Sequence, residues 1–147
     1  MAVKAIPDEY HSVQPYLIVK GAAKLIDFMK ETFGATEKMR MDGPDGSIGH
    51  AEVQIGDSVV MLADASEMFP AMPATVLVYV EDCDGAYKRA LAAGGQSERE
   101  PENQFYGDRS AGVLDASGNR WYIHTHIEDV SPEEMGKRAA AAMPAQS

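Results

Sequence analysis

The chain has 147 residues, 45% of them apolar and 24% charged, which suffices for one hydrophobic core, while its longest apolar runs, such as 76–80, fall far short of the roughly 20 residues a membrane-spanning helix needs. Thirteen basic residues against 23 acidic ones give a net charge of −10, which repels nucleic-acid phosphates and anionic membranes and either attracts a cationic ligand or simply keeps the protein in solution. The N-terminus shows no basic-then-apolar leader pattern, and the single cysteine, Cys83, has no partner for an internal disulfide, so a cytoplasmic setting is expected.

In chain order, 13–19 is a β-branched, aromatic and apolar run that predicts a strand. Ala22, Leu25, Ile26, Met29 and Phe33 follow at helical spacing, and Gly34 stands where a left-handed residue ends a helix. A strand is expected at 36–41, then the turn-forming stretch Asp42-Gly43-Pro44-Asp45-Gly46, then the alternating strand 50–55. Gly56-Asp57 closes a hairpin into a strand at 58–63. The segment 65–74, carrying Met68, Phe69 and Met72, connects this unit to the next. There the pattern restarts: a strand at 75–80, a helix capped by Asp82 or Asp84 and ended by Gly94-Gly95, and strands at 96–100, 111–114 and 120–126. Ser131-Pro132-Glu133-Glu134 is a capping box that predicts a third helix over 132–142, ended by Pro144. Val130, Met135 and Ala139 could dock it on its own domain or on a second subunit.

The two units are one plan used twice, since 61 residues separate Val19 from Val80, Gly34 from Gly95 and Leu62 from Ile123. The expectation is a single domain with a βαβββ module at 12–64, a second at 74–126, and the helix 131–142.

Tandem βαβββ units whose helices end at Gly34 and Gly94-Gly95 resemble the vicinal oxygen chelate superfamily of glyoxalases, bleomycin-resistance proteins and extradiol dioxygenases. Pro15-Tyr16-Leu17-Ile18-Val19, His50-Ala51-Glu52, 104–109 and His126-Ile127-Glu128-Asp129 are similar to its PhnB-like subgroup. The resemblance implies an α+β fold, with paired glyoxalase-like modules forming a cupped eight-stranded mixed sheet, helices outside, a ligand cavity within, and often a homodimer. Metal-using members bind a divalent ion through four side chains, and carrying their positions over gives Gln14, Met61, Thr75 and Tyr122. Such an ion needs anionic or imidazole donors, whereas methionine offers a soft thioether and threonine a neutral hydroxyl. The expectation is therefore a site without metal or other cofactor. Strand alternation supplies an alternative ion site, because His124, His126 and Glu128 share one face and His50 and Glu52 form a similar pair.

The same alternation sets Tyr16 beside Gln14, Tyr79 beside Thr75 and His124 beside Tyr122, so the expected cup is aromatic with polar handles. Phe105 and Tyr106 read as a rim or lid, and Arg109 either grips an anionic ligand or pairs with Asp108, Glu100 or Glu102. Cys83 reads as structural. Besides a structural or regulatory role with the C-terminal helix as docking element, two functions follow. The first is a protein that binds a small organic molecule through Gln14, Tyr16, Met61, Thr75, Tyr79, Phe105, Tyr106, Arg109, Tyr122 and His124. The other is an enzyme: a metal-dependent lyase, isomerase or dioxygenase using His50, His124, His126 and Glu128, or a metal-free catalyst with His124 as acid and base.

Overall fold

The computed structural model describes residues 2–142. Strand β1 (Tyr16–Val19), helix α1 (Ala22–Phe33) and strands β2 (Thr36–Asp42), β3 (Ile48–Ile55) and β4 (Ser58–Asp64) make the first unit. Strand β5 (Thr75–Tyr79), helix α2 (Cys83–Ala92) and strands β6 (Gln96–Asn103), β7 (Asp108–Leu114) and β8 (Arg120–His126) make the second, and helix α3 (Pro132–Ala142) follows. Pro144, expected to end α3, lies outside the described residues.

Each unit is a four-stranded mixed sheet with its helix on one side, in the orders β1-β4-β3-β2 and β5-β8-β7-β6. The first strand of each runs parallel to the last, and the other pairs are antiparallel. The expected eight-stranded sheet is thus two sheets of four. Edge strands β1 and β5 share no ladder, and β1 is met by the connecting segment instead, where Met72 N–H donates to Ile18 O at 3.2 Å.

Local chemistry explains the boundaries. Gly34 adopts φ 66°, ψ 29° and donates to Lys30 O, closing α1 as expected. The carboxylate of Asp64, at the end of β4, accepts from Gly21 and Ala22 N–H and so receives the other end of that helix. Asp82 caps α2 by accepting from Gly85 N–H at 3.0 Å, and Ser131 caps α3 by accepting from Glu134 N–H. Pro101 inside β6 is tolerated because β6 is an edge strand and its register with β7 shifts between Arg99 and Glu102.

The core lies on the helix side of both sheets. Leu17, Val19, Val53 and Leu62 of the first sheet and Ala111, Val113, Trp121 and Ile123 of the second are buried with Leu25, Ile26, Met29, Ala86 and Ala90 of the helices. Trp121 joins the units, since its indole packs on Phe28 and Phe33 of α1 at centroid distances of 5.9 and 5.5 Å and donates to Asp115 at 2.8 Å. The two opposite faces carry the exposed large side chains Tyr16, Leu77 and Tyr79.

Candidate functional site

Ladder register defines what each open face presents, because directly paired residues point the same way. On the second sheet, Leu77, Tyr122, Gly112 and Arg99 form one row across β5, β8, β7 and β6. Tyr79, His124 and Ser110 form the next, and Asp108 and His126 pair one step further on. On the first sheet the row matching Leu77 to Arg99 is Tyr16, Met61, Glu52 and Met39. The register also corrects the repeat: β4 maps on β8 with an offset of 61, but Ala51 opposite Leu62 corresponds to Ala111 opposite Ile123, an offset of 60 for β3 on β7. The two-residue turn at Gly56-Asp57 and the longer one at 115–119 are therefore not equivalent in length.

The buried carboxylate of Asp108 organises the second face. Its Oδ2 accepts from Tyr79 O–H at 2.7 Å and from His124 Nδ1 at 2.9 Å, and its Oδ1 meets His126 Nδ1 at 2.8 Å. Burial pushes this carboxyl up, but the hydrogen bonds from His124, His126 and Tyr79 together outweigh it and hold the group below its usual range. An ionised carboxylate only accepts, so His124 carries its proton on Nδ1, and its Nε2, which makes no hydrogen bond among the described residues, is an acceptor when the ring is neutral. Hydrogen bonding to Asp108 pushes the Tyr79 hydroxyl up, keeping it a donor. His126 also reaches Asp129 at 2.7 Å, and first Asp129, then Asp108, raise its pKa.

Aromatic rings surround the His124 imidazole. Tyr106 stacks on it at 6.2 Å and 22°, Tyr79 and Tyr122 meet it edge-on, and Phe105 braces Tyr106. Tyr106 sits there because Gly107 turns the chain at φ 98° and its carbonyl accepts from both Ile127 and Glu128 N–H. A Cβ on Gly107 would lie 2.2 Å from Glu128 O, so only glycine fits. Arg138 of α3 secures the same segment, forking onto Glu128 at 2.7 and 2.9 Å and reaching Phe105 O. Met135, Arg138 and Ala139 are half-buried, and the Arg138 bonds to Glu128 and Phe105 tie α3 to its own chain.

Of the residues expected to line one cup, Tyr79, Phe105, Tyr106, Tyr122 and His124 come together on the second face, while Tyr16 and Met61 belong to the first. Gln14 precedes β1 and accepts from His11 N–H at 2.6 Å, and Thr75 is exposed at the start of β5. The donors at Gln14, Met61, Thr75 and Tyr122 do not fit the divalent ion of metal-using relatives, since one hydroxyl, one thioether, one phenol and one amide offer no anionic or imidazole ligand. Nor does the alternative set gather: His50 is on the first sheet, His124 and His126 flank Asp108, and Glu128 belongs to Arg138. Among the described residues no three His, Cys, Asp or Glu side chains are grouped as a metal site groups them.

Arg109 faces the helix side, one residue along β7 from Asp108, and forks onto Asp84 of α2 at 2.6 and 3.0 Å. It is an ion pair, with a partner other than the three expected. The cation that does face the aromatic cluster is Arg99, which the sequence alone did not single out. Its guanidinium lies 5.7 Å from the Tyr122 ring centroid and donates from Nη2 to Ser110 Oγ at 2.8 Å. Cys83 is buried, its thiol against Ile123 O, and desolvation pushes its pKa up to about 11, so it is no nucleophile.

The first face is wired shut. Tyr16 O–H meets His50 Nδ1 at 2.9 Å, His50 Nε2 meets Glu52 Oε2 at 2.8 Å, and Tyr10 O–H donates to Glu52 Oε1. Burial pushes the Glu52 carboxyl up, and Tyr10 and His50 more than reverse this. A cavity of about 610 Å³ lies at the other end of this face, lined by Tyr16, Ile18, Ile48, Ala63 and Phe69.

A family model described as the glyoxalase/bleomycin resistance protein/dioxygenase superfamily matches residues 10–123. An uncharacterized protein of Mycobacterium bovis is 34% identical over 146 residues, covering 92% of this chain and 93% of its own. Among solved structures, TioX from a Micromonospora species superposes with a TM-score of 0.66 at 23% identity, over 79% of this chain and 100% of that one. TnmS3, an antibiotic-binding protein from a Streptomyces species, superposes at 0.61 with 22% identity, over 86% and 98%. At these identities the two structures establish likeness of fold.

Proposed function

The chain belongs to the glyoxalase/bleomycin resistance protein/dioxygenase superfamily, and from that premise we propose that it binds a small organic molecule, without the superfamily's metal, on the aromatic face of its second βαβββ module. The observation that carries this reading is the ring of Tyr79, Tyr106 and Tyr122 about His124, with Nε2 left free to accept. The antibiotic-binding neighbour supports it by analogy of fold. In this reading the chain is a PhnB-like, cytoplasmic homodimer. The half-exposed Tyr16, Leu77 and Tyr79 support a second copy that covers the open faces and completes the site. Tyr106→Ala is the test, with planar aromatic compounds titrated into the full chain. Loss of binding at unchanged melting temperature is expected, whereas undiminished binding, or stoichiometric tight metal in protein purified without chelator, overturns the proposal.

A second reading rests on one observation, the Asp108–His124 pair. Asp108 fixes the tautomer so that Nε2 can take a proton from carbon next to a carbonyl or from a hydroxyl, a step that needs no metal. Here His124 is the catalytic residue and Asp108 a positioning residue. Turnover that survives His124→Ala excludes it.

A further inference from the structure

Arg99 is a cation without an anion. Of the six arginines, Arg40, Arg109, Arg120 and Arg138 each pair with a carboxylate, and Arg89 donates to the Thr32 carbonyl on the helix side. Arg99 points into the open face of the second sheet, as Arg120 does two residues before Tyr122, but where Arg120 forks onto Glu98, no carboxylate among the described residues forms an ion pair with Arg99. Its one hydrogen bond is to the neutral hydroxyl of Ser110, and its Nε–H is buried with no acceptor. In a chain with 23 acidic residues, a half-buried guanidinium left this way is conspicuous, because desolvated charge is ordinarily paired.

None of the neighbouring acids neutralises this cation. Glu98 forks with Arg120, and Asp108 is held by Tyr79, His124 and His126. Glu102 stands opposite Ser110 in the ladder but is exposed and forms no ion pair. Gly112, between Arg99 and Tyr122 in their row, adds no side chain, so the cation and the tyrosine ring share one open surface. A planar ring can stack there while its acidic substituent reaches the guanidinium.

We propose that the molecule bound on the second module is an aromatic oxyanion whose carboxylate or phosphate is held by Arg99, with Ser110 fixing the guanidinium and Tyr122 stacking on the ring. This rests on the ligand-binding reading above and sharpens it: the net charge of −10 is a property of the whole chain, whereas the group that meets a ligand beside Tyr122 is an unpaired guanidinium.

The test titrates 2-naphthoate, 2-naphthyl phosphate and neutral 2-naphthamide into the full chain by calorimetry. One or both anions should bind roughly tenfold more tightly than the amide, a typical gain for a charge-assisted fork, and the tighter anion identifies the group recognised. Arg99→Gln should abolish this preference, Arg99→Lys should retain part of it, and Arg40→Gln, on the far edge of the other sheet, should have no effect. Equal affinity for acids and amide, or a preference that survives in either Arg99 variant undiminished, overturns the oxyanion assignment and leaves the aromatic site standing. Absence of binding by all three compounds overturns both. If Arg99→Gln changes the mass in solution but not the preference, Arg99 is a subunit contact and the assignment fails.

Discussion

The rows Tyr16-Met61-Glu52-Met39 and Leu77-Tyr122-Gly112-Arg99 occupy matching places in two modules of one plan, yet they carry opposite chemistry. The first holds a buried carboxylate satisfied by Tyr10 and His50, next to a methionine. In the second, glycine replaces that carboxylate and arginine replaces that methionine. A repeated fold thus supplies two copies of a surface, and side chains decide that one becomes an internal network while the other keeps unspent donors and acceptors. Position in the fold alone does not assign a site.

The largest expected effect breaks the second face alone. Gly107→Ala places a Cβ at φ 98° against the Glu128 carbonyl, and a non-glycine residue there costs about 1–3 kcal/mol in backbone strain before the clash is counted. Thermal melting should show that loss, and binding of aromatic compounds should fall with it, because Tyr106 no longer covers His124. Unchanged ligand affinity in the variant would show that the 104–107 turn does not build the site.

Next in size is the contrast between the two carboxylates. Asp108→Asn loses charge-assisted bonds from three donors and Glu52→Gln from two, so chemical denaturation should show losses of about 2–3 and about 1–2 kcal/mol respectively. Ligand binding separates them more sharply. An amide Nδ2 facing His124 Nδ1 would move the ring proton to Nε2 and remove the acceptor, whereas nothing in the Glu52 network touches the second face. Equal effects of both substitutions on affinity would erase the distinction between an internal network and a site.

Much of this was legible in the sequence, and the part that was not has a physical cause. Gly34, Asp82, the capping box at Ser131 and strand β8 announced themselves through local backbone chemistry. Tyr122 came from the resemblance to the superfamily, and Tyr79 and His124 followed by period-two alternation from Thr75 and Tyr122. Arg99 was hidden because an arginine on a polar edge strand looks solvated until the ladder shows what lies opposite it, and the irregular register around it defeats counting. Arg109 was conspicuous beside Phe105 and Tyr106, yet adjacent strand residues face opposite ways, so Asp108, one position earlier, took the place on the aromatic face. Had 111–114 been extended back to Asp108 and aligned with 120–126, the Asp108–His126 pairing was within reach of sequence reasoning.

The smallest effect concerns protons. His126 lies between Asp108 and Asp129, and both ring nitrogens can donate only when the imidazole is charged. Its pKa is raised, by Asp129 first and then Asp108. A group protonated more readily in the folded state contributes fully below its unfolded value of about 6.5, and loses that contribution as pH rises through the higher folded value. The melting temperature of the intact protein should therefore exceed that of His126→Gln below pH 6.5, with the gap closing on the alkaline side. Tyr79 and His124 hold the other oxygen of Asp108, so the carboxylate stays in place when His126 loses its proton, and aromatic binding should be the same on both sides of the transition. Affinity that follows the His126 titration would join the exposed histidine to the site and redraw the boundary of the second face.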